Sequence, residues 1–255
     1  MNSIKKQWQL VWLVCLCLIS QLACANQQEL TIHVSPVPPF VIDGEPRGIA
    51  CDIIEQVFAM QNYKTRFIIS NNKRMEAEVI KKSSDAGFGG IPLEVSGIYF
   101  SDPVVEYQNV FVSLRKNALT INQLSDLTDK KIIAFRNASR ILGPEFANLI
   151  KRHNNYFEVG DQRSQIPMLD AGRGDVIVLE RRAFLYFAQQ LYPPSLIKER
   201  YTLHTVLAPN PRYLGFHDRA LRDLFNQGLR ELKRNGAYQQ IFSRYIKDLD
   251  NQTGF

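Results

Sequence analysis

The strongest restriction on this chain is a rhythm. Short apolar strands alternate with amphipathic helices, twice over, and no Pro/Gly/Ser-rich linker separates the two runs. In the first run, residues 30–34 alternate like a strand. Residues 49–60 carry Ile53, Ile54, Val57 and Phe58 at helical spacing, and 66–69 read as a second strand. A helix over 75–82, a glycine-rich stretch at 85–90 and a β-rich stretch at 109–114 complete it. The second run starts near Ser125, with strands at 131–135, 157–159, 175–179 and 201–207. Its helices fall at 139–153, where Ser139 can act as the cap, at 166–171 and at 182–191, the last ended by Pro193-Pro194. Helices at 219–234 and 238–246 follow, parted by Gly236. Such alternation favours an α/β fold with a largely parallel sheet in each unit. Two units without a linker predict two lobes joined by strands, and the cleft between lobes is a preferred ligand site.

The chain has the bulk for this. Its 255 residues are 45% hydrophobic and 22% charged, which excludes a disordered tail, a collagen-like repeat and a disulfide mini-scaffold. The net charge of +6 is mild and its Lys and Arg are scattered, so nucleic-acid binding has no footprint. The N-terminus has a separate logic. Lys5 and Lys6 precede an apolar run over 10–22, and Ala23-Cys24-Ala25 fits signal-peptidase cleavage. That run is short for a membrane span. Residues 1–25 therefore read as a secretory signal peptide, with the mature chain starting near Asn26. The alternatives are an uncleaved anchor and a lipoprotein at Cys24, the latter weakened by the polar Gln21 three residues before it. Cleavage removes both tryptophans and every cysteine except Cys51, so no intrachain disulfide is available in the oxidising compartment.

Six short motifs then occur in a fixed order. Pro38-Pro39-Phe40 is followed by Asp43-Gly44, Gly48 and Asp52, and Asp85 by Phe100-Ser101-Asp102-Pro103. Leu124-Ser125-Asp126-Leu127, Ala171-Gly172-Arg173-Gly174-Asp175 and the stretch from Phe225-Asn226 to Tyr245 complete the series. In this order the chain resembles the family 3 extracellular solute-binding proteins, from about Glu29 to Ile246. The resemblance implies an α/β, two-lobed, type II periplasmic binding fold with two crossover hinge strands. Lobe 1 would comprise 26–106 and 209–255, lobe 2 113–202, and the crossings 107–112 and 203–208. It also implies a monomeric periplasmic receptor for a small-molecule ligand, with no cofactor and an inner-membrane ABC permease as partner. A ligand sensor for a membrane signalling protein is the alternative, and an enzyme of the same fold the third.

Site residues follow from the resemblance and from residue chemistry. Amino-acid receptors of this family place an arginine before the Phe-Ser-Asp-Pro motif, to fork onto the ligand's α-carboxylate. Here that stretch is Ile91-Pro92-Leu93-Glu94-Val95-Ser96-Gly97, and no arginine occurs from 75 to 114. The missing clamp argues against an ordinary amino-acid ligand. Arg74 is the nearest substitute cation, though an exposed helix-end arginine is the plain reading. Arg136, Asn137 and Ser139 sit at a strand-to-helix turn that could offer N–H donors to an anion, or Ser139 could merely cap its helix. Glu180 ends a strand where relatives place an acid for the ligand ammonium, which predicts an amine-bearing or modified amino-acid-like solute. A surface ion pair with Arg181 or Arg182 is its alternative. Ser35 lies at a strand end, Phe40 and Tyr107 are candidate apolar walls although aromatics more often pack in a core and Phe40 is expected to, and Gly90 allows close backbone approach. Asp52 should cap or pack locally. No metal-ligand spacing of His33, His153, His204 and His217, nucleophile elbow or phosphate loop appears, so catalytic and metal residues are not expected.

Overall fold

The computed structural model describes residues 27–42, 44–90 and 94–253, with side chains described up to Tyr245. The expected signal peptide lies outside these residues, as do Asp43 and residues 91–93. Among the described residues no helix is long and apolar enough to cross a membrane.

The chain builds two five-stranded sheets, one per lobe. The first contains β1 (Gln28–Val34), β2 (Tyr63–Ile69), β3 (Ala86–Phe88), β4 (Tyr99–Phe100) and β12 (Leu214–Phe216), in the order β2-β1-β3-β12-β4. The second contains β6 (Asn109–Leu114), β7 (Ile132–Phe135), β8 (Tyr156–Val159), β9 (Val176–Glu180) and β10 (Tyr201–His204), in the order β10-β6-β9-β7-β8. Between them, β5 (Val105–Tyr107) pairs antiparallel with β11 (Asn210–Arg212). The chain thus leaves the ribbon at Tyr107, enters the second sheet at Asn109, and returns between His204 and Asn210.

The sheets are mixed rather than largely parallel. β1 runs parallel to β2 and β3, and β7 parallel to β8 and β9, because helices connect them. β12 runs antiparallel to β3 and β4, and β6 antiparallel to β9 and β10. These reversed strands flank the two crossings, and their direction depends on how the chain passes between lobes. Local periodicity does not record that.

Both cores follow from the apolar spacing. Helix α1 (Ile49–Ala59) lays Ile53, Ile54, Val57 and Phe58 on the first sheet, all fully buried. The long helix Arg219–Arg234 adds Phe225, Leu229 and Leu232 to the same cluster. In the second lobe, β6 and β9 are buried along their whole length, so their apolar residues serve both faces. Val110, Val112, Ile177 and Leu179 face one cluster, while Phe111, Val176 and Val178 face the other.

Three local expectations change. Residues 139–153 do not form one helix but two, Ala138–Ile141 and Pro144–Ile150. Pro144 has no N–H to donate and Gly143 stands at φ 95°, so the chain restarts there. Pro194, expected only as a stop, opens a further helix, Pro194–Arg200. Asp52 does not act locally: its carboxylate accepts from the Tyr245 hydroxyl at 3.0 Å and lies 3.5 Å from Arg244, tying the C-terminal helix to α1.

Candidate functional site

A cleft of about 960 Å³ opens between the lobes. Its walls are the loops that follow the parallel strands, where an α/β sheet presents its ligand edge. Ser35 follows β1, Ser70 to Lys73 follow β2, and Gly89 and Gly90 follow β3. From the second lobe come Arg136 and Asn137 after β7, Gly160 after β8, and Glu180 at the end of β9. Tyr107 and Arg212 reach it from the ribbon that joins the lobes.

Of the residues singled out above, Ser35, Gly90, Tyr107, Arg136, Asn137, Ser139 and Glu180 line this cleft, and Phe40 and Arg74 do not. Phe40 is fully buried in the first core, its ring tilted against that of Tyr107 at 4.5 Å. It supports the wall from behind. Arg74 is exposed and lies 3.9 Å from Glu78 one turn on. The helix Asn72–Ile80 starts three residues earlier than its apolar pattern implies. Its cap is Asn71, whose side chain accepts from the Arg74 N–H at 3.0 Å. The register therefore turns Asn72 and Lys73 to the cleft in place of Arg74. Asn72 packs so close to Gly90 that a Cβ there would meet its amide at 2.5 Å.

The turn after β7 holds an internal anion. The Glu158 carboxylate accepts from Asn137 N–H at 2.6 Å, Ser139 N–H at 3.0 Å and the Tyr156 hydroxyl at 2.7 Å. Burial pushes this carboxyl up, but the bonds from Ser139, Tyr156 and Asn137 outweigh it and hold it below the usual carboxylate range. The donors expected to meet a ligand anion are thus already engaged, and Ser139 is not the helix cap. Asn137 takes that position, in the left-handed region at φ 63°.

Glu180 lines the cleft but is buried rather than open to it. It is 3% exposed. One oxygen accepts from Ala183 N–H at 2.9 Å, capping the helix Arg181–Ala188. The other accepts from Gln108 N–H at 3.3 Å and lies 3.6 Å from Arg182. Gln108 also donates from its side chain to the Leu207 carbonyl at 2.8 Å, so Glu180 and Gln108 together link both crossings. Burial raises the Glu180 carboxyl to about 7, against the pull of Arg182 and the backbone donors.

Arg212 is the functional candidate that sequence reasoning missed. Its guanidinium stands 4.6 Å above the Tyr107 ring, whose other neighbour is Phe40. Its Nε is buried with no hydrogen-bond partner among the described residues. Burial holds this guanidinium below its ordinary range, with Tyr107 and Glu180 opposing. One signal could have found it: Arg212 is the single Lys or Arg between Tyr201 and Phe216, the stretch that carries the return crossing.

Glu180 predicts a pH signature. Its folded value lies above the ordinary 4.5, so the folded state keeps a proton that the unfolded chain has lost. The sign is that of a raised carboxyl: its contribution is fully present below about 4.5 and is lost as pH rises through about 7. A shift of this size corresponds to roughly 3 kcal/mol. Buried His33 and His204 have lowered values, chiefly through desolvation, and act with the opposite sign, losing stability as pH falls below 6.5. The measurement is therefore a difference. Wild type and Glu180→Gln are compared by denaturant unfolding at pH 5 and pH 8. The variant should gain on the wild type by roughly 2 kcal/mol between those values, and an unchanged difference would refute the assignment.

The family profile for bacterial extracellular solute-binding proteins, family 3, matches residues 30–248. No curated protein sequence matches the chain. Among solved structures, it is similar to the GluR0 ligand-binding core in complex with L-glutamate, with a TM-score of 0.74 and 16% identity, over 87% of this chain and 100% of that one. It is also similar to a histidine kinase sensor domain that resembles periplasmic binding proteins, with TM-score 0.69, 17% identity and 87% and 97% coverage. A third is the ancestral amino acid-binding protein AncCDT-1, a precursor of cyclohexadienyl dehydratase, with TM-score 0.68, 15% identity and 86% and 95% coverage. At these identities the likeness shows the fold, two-lobed and of the type II periplasmic binding class.

Proposed function

The chain belongs to the bacterial extracellular solute-binding proteins, family 3, and from that membership we propose that it captures a small polar solute between its lobes in the periplasm and presents the closed form to an inner-membrane ABC permease. The observation that supports this is the cleft itself, walled by strand ends of both sheets and floored by the two-stranded ribbon. A solute held there gains contacts to both walls only when they approach, so binding favours closure. The N-terminal signal peptide read from the sequence accords with export.

Binding is favoured over catalysis because Glu180, the buried carboxylate at the cleft, is engaged as a cap and crossing link. A sensor role is the second reading, supported by the likeness to a histidine kinase sensor domain. Native mass spectrometry of freshly purified protein should find a co-purified small molecule. Small-angle scattering should then show a smaller radius of gyration with that molecule than without it. An unchanged radius at saturation would sink the capture model. Gene neighbourhood separates the partners: permease and ATPase genes favour transport, a kinase gene favours sensing.

A further inference from the structure

Among the described residues four cations line the cleft: Lys73 from the first lobe, Arg136 and Arg140 from the second, and Arg212 from the ribbon. None of these side chains makes a hydrogen bond or ion pair with another described residue. Several arginines elsewhere are matched, as Arg66 is by Glu29, Arg163 by Asp161 and Arg200 by Asp170. The lining carboxylate, Glu180, has both oxygens taken and Arg182 beside it, and Glu158 is occupied behind the wall. The balance at the cleft surface is therefore positive, and it comes from three separate elements.

Arg212 carries the argument furthest. A buried guanidinium Nε without a partner is costly unless something supplies an acceptor. The Tyr107 ring covers one face of the group, and a planar fork so held suits a carboxylate. Gly160 leaves the room that Arg136 uses: a Cβ there would lie 2.6 Å from its Nη2. Cations on opposite walls and on the ribbon call for acidic groups at more than one end of the solute.

Resting on the capture reading above, we infer that the solute is a small organic dianion of the dicarboxylate type, without an ammonium group, held at one end by Arg212 and at the other by Arg136 and Lys73 across the lobes. This replaces the amine-bearing solute that the sequence suggested, since Glu180 is 3% exposed and already accepts an N–H on each carboxylate oxygen.

Calorimetry on the full mature chain tests this with succinate, L-malate, citrate, inorganic phosphate, L-glutamate, L-aspartate, L-lysine and putrescine. A dicarboxylate without an amine should bind about tenfold or more tighter than L-glutamate or L-aspartate, and more weakly as salt rises. Arg212→Gln and Arg136→Gln should each weaken it by about tenfold or more, while Arg74→Gln, outside the cleft, should leave it unchanged. Arg212→Lys, which keeps the charge but not the fork, should fall between. Should Arg212→Gln fail to fold, Arg136→Gln decides. Tighter binding of an amino acid, an amine or phosphate would overturn the inference, as would no binding of any dicarboxylate or wild-type affinity in both variants. If one of those other solutes closes the lobes, the capture reading survives; if no solute of any class does so, both fail.

Discussion

Valine in place of Gly48 should prevent the first lobe from folding stably. Gly48 stands at φ +132°, where side chains are strained, immediately before α1. A Cβ there would lie 2.5 Å from the Phe40 carbonyl oxygen, 2.7 Å from its carbon and 2.7 Å from the Pro39 carbonyl oxygen. All three are backbone atoms, so no rotamer change relieves the clash. They cannot retreat either, because the first helical N–H groups, Ile49 and Ala50, donate to the Pro39 and Phe40 carbonyls at 3.0 and 2.9 Å. The turn caps the helix and the helix pins the turn. Strain and overpacking together should cost about 4 kcal/mol or more, a large share of a domain's stability. Denaturant unfolding of the valine and alanine variants reads this directly. A wild-type midpoint in both would contradict the close approach.

Phe58→Ala should be the most damaging change in the first core. The ring is fully buried and meets Tyr63 at 6.1 Å, Phe216 at 6.4 Å and Phe225 at 5.4 Å. Those partners lie on β2, on β12 and on the helix Arg219–Arg234. Phe58 therefore joins the part of the lobe made before the second lobe to the part made after it. Truncation leaves a cavity walled by three aromatic rings, costing about 3–5 kcal/mol and lowering the melting temperature by roughly 6–20 °C. Phe58→Leu, which keeps most of the volume, should lose well under half of that. Scanning calorimetry decides, and a loss below about 1 kcal/mol would mean that the core refills the space. Because the cleft's first wall rests on this core, solute binding should fall with it.

Much of this molecule was legible from residue order. The period of 53, 54, 57 and 58 places α1 on its sheet. The unbroken apolar run before Glu180 announces a strand buried on both faces, and its end predicts a residue at the cleft edge. These readings succeed because burial is a local pattern: a side chain's direction follows from its spacing along one helix or strand. Strand direction at the crossings was not legible. β12 and β6 obtain their partners from segments tens of residues away.

Side-chain partnership was the other thing hidden from the sequence. The chain's own order determined two α/β lobes, the strand-end loops between them, and the absence of an arginine before Phe100. Tertiary structure alone decided that Glu158 takes the Asn137 and Ser139 donors, that Glu180 is buried as a cap, and that Arg212 reaches the cleft unpaired. The reason is electrostatic. A charged group's role depends on which groups lie within a few ångströms and on how much water it has lost, and both are set by chain segments far apart in sequence.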